Sequence, residues 1–181
     1  MLENQLVNIM MTKNGFLDDL QYVNELKLPQ CYIAAGYIRN YCWNYLSNYE
    51  TSTPLNDLDV IYFDPDNLTY DQEIKFEQQL NAWKPQYNWS IKNQARMHIT
   101  NHTIPYTSTL DAMRYWPETA TAVGMRLVYK QNIEVIAPYG LDDLMQMRIR
   151  KTDLFTDEQY YHNRYQSKGW LSRWPLLQVI N

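Results

Sequence analysis

Cys31-Tyr-Ile-Ala-Ala-Gly36-Tyr-Ile-Arg39-Asn40 is the most informative stretch of this 181-residue chain. Its apolar residues predict a short buried strand over 31–35 that passes directly into a helix at Gly36. A helix that begins at a glycine presents free backbone N–H groups and the positive end of its dipole, which suits a phosphate group. Arg39, about one turn later, would add a guanidinium group to the same site. Gly36 has a structural alternative, since close packing at a strand–helix turn also favours glycine.

Two carboxylates follow on the next predicted strand, over 55–63. The period of two in a strand places Asp57 and Asp59 on one face, and Leu58 and Val60 on the other. Neighbouring carboxylates repel each other unless a cation lies between them, and hard oxygen ligands select Mg²⁺ or Mn²⁺. Turn or edge carboxylates are the structural alternative, but unneutralised acids would be costly in so apolar a strand. We therefore predict a metal site at Asp57 and Asp59.

These two stretches resemble the Gly-Gly-x-Val-Arg-Asp … Asp-x-Asp signature of the DNA polymerase β-type nucleotidyltransferase superfamily, and within it the head domain of CCA-adding enzymes. The chain also resembles a bacterial family of stand-alone nucleotidyltransferases. The departures from the signature are Ala35, where the pattern has a small residue that is often glycine, and Asn40, where CCA-adding enzymes have aspartate. The narrower resemblance rests on Ala34-Ala-Gly-Tyr-Ile-Arg-Asn40, Asn56-Asp-Leu-Asp-Val-Ile-Tyr-Phe-Asp64, Lys92-Asn-Gln-Ala-Arg-Met-His98, Trp116-Pro-Glu-Thr-Ala-Thr-Ala-Val-Gly124 and Ile136-Ala-Pro-Tyr-Gly-Leu-Asp-Asp-Leu144.

The resemblance implies an α/β fold, with a small mixed sheet and helices packed on it. It also implies Mg²⁺- or Mn²⁺-dependent transfer of a nucleoside monophosphate from an NTP to an unidentified hydroxyl, with release of pyrophosphate. Asp57 and Asp59 would hold the metal, and Gly36, Arg39 and Asn40 would hold the nucleotide. The alternative is a non-catalytic nucleotide-binding or protein-interaction module with a degenerate form of the fold.

The third acid that many members of this superfamily carry on the third strand is missing from its expected place. The chain offers Ser90 and Lys92 there. The missing acid supports the non-catalytic alternative, whereas the intact Asp57-Leu-Asp59 opposes it. Glu134, on a later predicted hairpin, is a weak substitute that we expect to be structural.

A dense polar run, residues 92–98, follows a strand predicted over 87–91. A solvated loop is one interpretation of it. The other is an edge that contacts the nucleotide, because Asn93 and Arg96 supply the donors and acceptors that a nucleobase needs. His98 and His102 have a spacing that occurs in metal sites, but the residues between them are poor helix formers.

Length and composition fit one globular domain over 1–181, with a core at about 28–150, N-terminal helices over 2–26 and a C-terminal aromatic and basic segment over 156–181. Cys31 and Cys42 are expected to be reduced core thiols. No signal peptide or long apolar run is apparent, so we expect a cytoplasmic protein without membrane contact.

Partners are limited by charge and length. The net charge of −4 lowers the expectation of a nucleic-acid partner. The C-terminal segment could form an RNA surface, but so many aromatic residues more often close a core. CCA-adding enzymes also carry helical domains that hold tRNA, for which 181 residues leave no room. We therefore favour a small molecule or a protein over tRNA as the acceptor.

The remaining elements are predicted from periodicity and caps. Helices are expected over 37–48, over 70–83, after Ser108, from Pro117 and over 141–151, and the N-terminal helices should break near Asn14-Gly15. Alternation predicts a hairpin over 126–136 around Lys130-Gln131-Asn132.

Overall fold

A computed structural model describes residues 1–50, 53–129 and 132–180, and its centre is a mixed five-stranded sheet. The strands are β1 (Tyr32–Ala34), β2 (Leu58–Tyr62), β3 (Trp89–Asn93), β4 (Gly124–Val128) and β5 (Asn132–Ile136). Their order across the sheet is β3-β2-β1-β4-β5. β2 and β3 run parallel, and the other neighbouring strands run antiparallel. This architecture confirms the predicted mixed sheet.

Helices and one further strand pair surround the sheet. The helices are α1 (Leu2–Met11), α2 (Phe16–Asn24), α3 (Gly36–Leu46), α4 (Tyr70–Trp83), α5 (Gln94–Asn101), α6 (Thr109–Met113), α7 (Asp142–Met145), α8 (Glu158–Ser167) and α9 (Trp170–Arg173). β6 (Arg148–Arg150) pairs in parallel with β7 (Gln178–Ile180). No helix in the described ranges is both long and apolar enough to cross a lipid bilayer.

β2 has the two faces that its alternation predicts. Leu58, Val60 and Tyr62 are buried in the main core, together with residues of α1, α2 and α3. Ile61 lies in a second, smaller cluster with Ala34 and Ala35. Because side chains alternate along a strand, Asp59 lies on the face of Ile61.

Several local predictions are confirmed. The N-terminal helices break at Gly15, whose φ of +78° is the left-handed conformation that glycine tolerates. The predicted hairpin is the β4–β5 pair, although Lys130 and Gln131 lie outside the described residues. Cys31 and Cys42 are free, buried thiols, and burial raises the pKa of each to about 12.

The solvated-loop interpretation of the polar run is wrong, because the chain from Gln94 forms α5. Asn93 begins this helix, and its side-chain oxygen accepts a hydrogen bond from the Ala95 N–H at 3.1 Å. An N-terminal cap of this kind favours a helix even where the sequence is weakly helical.

Two helix predictions are also wrong, one because the residues form a turn and the other because the helix is shorter than predicted. Residues from Pro117 form a turn instead of a helix, with Glu118 in an isolated β-bridge to Lys151. The helix predicted over 141–151 ends at Met145, because Met147 adopts a left-handed φ of 54° and the chain then enters β6. Pairing with β7, which is distant in sequence, overrides local helix propensity here.

Candidate active site

The turn from β1 into α3 has the geometry that its sequence predicts. Gly36 is the first residue of α3, and Ala35 before it adopts a φ of 55° and a ψ of −123°. The Ala35 N–H donates to Val123 O at 3.0 Å, which fixes the turn against the chain that enters β4. A Cβ added at Gly36 would make only ordinary contacts, 3.7 Å from Arg39 Nη2 and from Leu55 Cδ2. Close packing alone therefore does not require glycine at this position.

Asp59 lies in β2 opposite Ser90 of β3, and Asp57 lies one residue before β2 begins. Burial and, to a lesser extent, repulsion from Asp57 raise the pKa of Asp59 to about 6, against the attraction of Arg39, Arg164 and Lys168. A carboxylate pair whose mutual repulsion is not fully neutralised by the protein fits a divalent cation.

The metal ligands would not come from the protein alone. Among the described residues, no group of three or more His, Cys, Asp or Glu side chains could hold a metal ion. Asp57 and Asp59 would supply two oxygen ligands, and water and substrate phosphates typically complete the shell of Mg²⁺.

A cleft of about 590 Å³ opens beside Asp59. Pockets for ligands of moderate size have volumes of about 300–1,000 Å³, so this cleft is large enough for a nucleotide. Its polar lining includes Lys92, Gln94 and Arg164, and the turn contributes Ala35. Its aromatic lining consists of Tyr115, Trp116, Phe155 and Tyr160. One cleft therefore joins a carboxylate, cations and rings that can stack on a base.

Arg39 is close to this site but buried beneath it, with 5% of its surface exposed. Its Nη1 donates to Thr121 Oγ1 at 2.7 Å and its Nη2 to Asn40 Oδ1 at 2.8 Å, and its guanidinium carbon lies 4.1 Å from the Trp170 ring centroid. Burial lowers the pKa of Arg39 to about 10, so it remains a cation at neutral pH. The buried Arg39 thus contributes positive charge that acts on Asp59. It also positions Thr121, which lines the cleft.

Two cations that act on the carboxylates, Arg164 and Lys168, come from α8 and the residue after it, in the segment for which the sequence suggested a core or an RNA surface. Arg164 lines the cleft, and its Nε donates to Glu118 Oε1 at 2.8 Å. Glu118 is buried, and its second oxygen has no hydrogen-bond partner among the described residues. Lys168 stands four residues after Arg164, a spacing that puts both on one helical face. That spacing is the sequence signal that could have identified them.

The aromatic residues of the C-terminal segment close a core, as the sequence analysis favoured. Trp170 and Trp174 are buried against Trp43 of α3, with ring centroids 5.6 and 5.1 Å away. This packing holds α8 and α9 against α3, the helix that begins at Gly36.

Asn93 and Arg96 are not brought to the cleft, and neither is among its lining residues. The Asn93 amide is fully buried and contacts the backbone of Asp64, Asn67 and Ala95. Arg96 Nε donates to the buried Glu73 at 2.7 Å. Contact of these two side chains with a nucleotide stays a prediction, and the contacts observed are structural.

The other motif residues brace the fold. Thr119 Oγ1 donates to Asp143 Oδ2 at 2.8 Å, and the Tyr139 hydroxyl donates to Arg114 O at 2.6 Å. Glu134 accepts hydrogen bonds from Tyr32 and Arg126, which matches the structural role expected for it.

Comparison with known proteins identifies the fold. A family model described as nucleotidyltransferase matches residues 21–179. An NMR structure that reveals a CCA-adding enzyme head domain is 34% identical to this chain. The match covers 98% of this chain and 95% of that one, with a TM-score of 0.82. No curated protein matches the chain.

Complete CCA-adding enzymes share the fold at lower identity. One solved with CTP is 12% identical with a TM-score of 0.58, and the match covers 99% of this chain and 43% of that one. The Thermotoga maritima enzyme in complex with tRNA is 14% identical, with a TM-score of 0.53. That match covers 93% of this chain and 39% of the enzyme. This chain therefore spans less than half the length of these enzymes. The family match and the 34% identical structure together show that the chain belongs to the nucleotidyltransferase family and has the fold of a CCA-adding enzyme head domain.

Proposed function

We propose that this nucleotidyltransferase moves a nucleoside monophosphate from an NTP in the 590 Å³ cleft to a hydroxyl acceptor and releases pyrophosphate. The observation that carries the proposal is that Asp59 lines the cleft together with Ala35 of the Gly36 turn and Arg164, while the charges of Asp57 and Lys168 also act on Asp59. Carboxylates, a phosphate-binding helix start and cations are the groups that phosphoryl transfer requires.

In this proposal, the triphosphate lies at the N-terminus of α3, and the base lies among the aromatic residues of the cleft. The free N–H groups of α3 and the Arg164 guanidinium favour negative charge there. Gln94 and Lys92 offer hydrogen bonds inside the cleft, in place of the predicted Asn93 and Arg96. Tyr115 and Trp116 offer ring faces for stacking.

Mg²⁺ or Mn²⁺ held by Asp57 and Asp59 would supply charge neutralisation for the phosphates and for the leaving pyrophosphate. The chain's own residues hold and orient the triphosphate. Glu118 fixes Arg164, and Arg39 fixes Thr121. A nucleotide-binding protein without turnover is the second candidate, since β3 places Ser90 opposite Asp59 where a third acid would be expected.

The test is NTP binding by calorimetry with and without Mg²⁺, followed by an assay of pyrophosphate release. We expect Asp59→Asn to abolish the Mg²⁺-dependent part of NTP affinity, and Arg164→Met to weaken NTP by at least tenfold with little effect on nucleoside. Arg173→Met, on α9, is the matched control for loss of one cation. Equal NTP affinity of the wild type and Asp59→Asn at saturating Mg²⁺ would refute the proposal. Binding without turnover on any acceptor would favour the second candidate.

Folding of the Asp59→Asn variant can be verified independently. Because the pKa of Asp59 is raised in the folded state, loss of its proton favours the unfolded state. The free energy of unfolding therefore falls as the pH rises from about 4 through about 6. In EDTA at pH 7.5, Asp59→Asn should therefore be more stable than the wild type by roughly 1–2 kcal/mol, and this gain should vanish near pH 4.

A further inference from the structure

A second cavity, of about 220 Å³, lies on the other flank of the carboxylate pair. Asp57 and Leu58 line it, whereas Asp59 and Ile61 line the larger cleft. Leu58 and Ile61 face opposite sides of the sheet, and Asp57 and Asp59 each line a different one of the two cavities. Transfer between two bound molecules requires such an arrangement, with the reacting groups on either side of one centre.

Lys13 gives this second cavity a positive charge. Its ammonium group lies 4.8 Å from the Tyr37 ring centroid and 5.9 Å from that of Tyr41, and all three residues line the cavity. The Lys13 ammonium group makes no hydrogen bond and no ion pair with any residue that the structure describes. Asp19, whose charge acts on Lys13, accepts hydrogen bonds from Tyr37, Tyr87 and Lys84. A half-buried cation without a carboxylate partner is suited to an anionic ligand.

Asn40 adds a directed donor to the same cavity. It is 8% exposed and lines the cavity. Its Oδ1 accepts from Arg39, while its Nδ2 has no partner within the described part of the chain. The Asn40 Nδ2 group is accessible from the cavity, so it can donate a hydrogen bond to a ligand there. Gln86 and Asn88 also line the cavity, and the Asn88 Nδ2 donates to Asn56 O at 2.9 Å.

We propose that this cavity binds the nucleotidyl acceptor, and that the acceptor is a compact molecule with one hydroxyl group and one anionic group. The inference rests on the proposed function. Lys13 holds the anionic group, Asn40 donates to an acceptor oxygen, and the hydroxyl group lies at the Asp57 end. The volume is below the range of about 300–1,000 Å³ that is usual for larger ligands, which favours a small molecule over the end of an RNA chain.

The proposed transfer forms one bond and breaks one bond. The acceptor's hydroxyl oxygen forms a bond to the α-phosphorus of the NTP. The bond from that phosphorus to the oxygen bridging to the β-phosphate breaks, and pyrophosphate leaves with the electron pair. The hydroxyl proton passes to water. The product is a nucleoside monophosphate ester of the acceptor, and it keeps the anionic group that Lys13 holds.

The test titrates the ¹⁵N-labelled full chain with glycerol 3-phosphate, glycerate and uncharged glycerol, and follows the side-chain amide signals of Asn40, Gln86 and Asn88. We expect one of the two anions to shift these signals saturably, and glycerol to leave them unchanged. Glycerol 3-phosphate carries a phosphate and glycerate carries a carboxylate, so the two titrations distinguish the two kinds of anionic group. Lys13→Met should weaken the response at least tenfold, while Lys75→Met, an exposed lysine of α4, should not.

The same samples are then titrated with NTP and Mg²⁺, which separates the two proposals. If NTP binds and neither anion shifts the three amide signals at tens of millimolar, the acceptor site is refuted and the proposed function stands. If an anion binds and Lys13→Met abolishes its binding while NTP does not bind, the anion site stands and the proposed function fails. Saturable shifts of these amides by a short RNA ending in a free 3′-hydroxyl, but not by either anion, would overturn the small-molecule assignment.

Discussion

Ala35 has backbone angles that glycine adopts more easily, a φ of 55° with a ψ of −123°. Such a conformation costs a residue with a Cβ about 1–3 kcal/mol. The strain lies at the first small residue of the Gly-Gly-like pattern, where the chain turns from β1 to present the N–H groups of α3. The turn is thus held in a strained form by its neighbours, among them Val123, whose carbonyl accepts from Ala35.

We expect Ala35→Gly to stabilise the protein by about 1 kcal/mol, because relief of strain exceeds the entropy that glycine adds to the unfolded chain. Urea unfolding monitored by tryptophan fluorescence would measure it. Ala34→Gly is the control: Ala34 is buried in β1 without a positive φ, and this change should destabilise by about 1 kcal/mol. A loss of stability in Ala35→Gly as large as in Ala34→Gly would contradict the assignment of strain.

The roles of individual side chains were only partly predictable from the sequence. Asp57 and Asp59 could be identified because a strand period fixes their faces locally. Asn93 and Arg96 could not be separated from ligand-binding residues, because their partners, Asp64 and Glu73, are fixed only by folding. Arg39 carries the expected charge, but its burial depends on Trp170, 131 positions further along the chain.

Among the elements, α2 and α3 are joined to the chain between α4 and β3 by a buried carboxylate. Asp19 of α2 accepts hydrogen bonds from the hydroxyls of Tyr37 and Tyr87, and it pairs with Lys84 at 3.1 Å. The apolar face of α2 could be predicted from its sequence, but this polar contact could not. α5 and β6 were missed for a related reason, since a cap and a distant strand decided their structure.

Asp19→Ala should destabilise the protein by about 2–4 kcal/mol, since it leaves two buried hydroxyls and a mostly buried ammonium group without their acceptor. Chemical denaturation would measure the loss. Asp18→Ala removes an exposed acid from the same first turn of α2 and therefore controls for the helix dipole. We expect Asp18→Ala to change stability by less than about 0.5 kcal/mol. Equal losses in the two variants would show that the buried contacts contribute nothing.

For the whole molecule, charge bears on the choice of acceptor. The chain has a net charge of −4, and Arg164 of α8 lines the cleft, where it pairs with the buried Glu118. A surface that tracks a nucleic-acid backbone needs several cations free to contact successive phosphates. The 34% identical structure reveals a head domain and is matched over 95% of its own length, whereas the enzyme solved with tRNA is matched over 39% of its length.

We therefore expect no saturable tRNA binding by this chain at physiological salt, and no incorporation of labelled CTP or ATP into tRNA that lacks its 3′ end. Filter binding over a salt series would test this, because each phosphate contact adds close to one unit to the slope of log affinity against log salt. Tight binding with a steep slope, lost in the double variant Arg164→Glu and Lys168→Glu, would overturn the expectation.

The pairing of β7 with β6 bears on when the protein acquires its site during synthesis. The segment that delivers Arg164 and Lys168 is fastened at its far end by Gln178–Ile180, which pairs with Arg148–Arg150. A ribosome exposes residues in order, so β1, β2 and the carboxylates emerge and can begin to fold well before this fastening exists. A nascent chain stalled before residue 178 would carry Asp57 and Asp59 without the anchored cations, so we expect the proposed nucleotide site to be complete only once Gln178–Ile180 can pair with Arg148–Arg150.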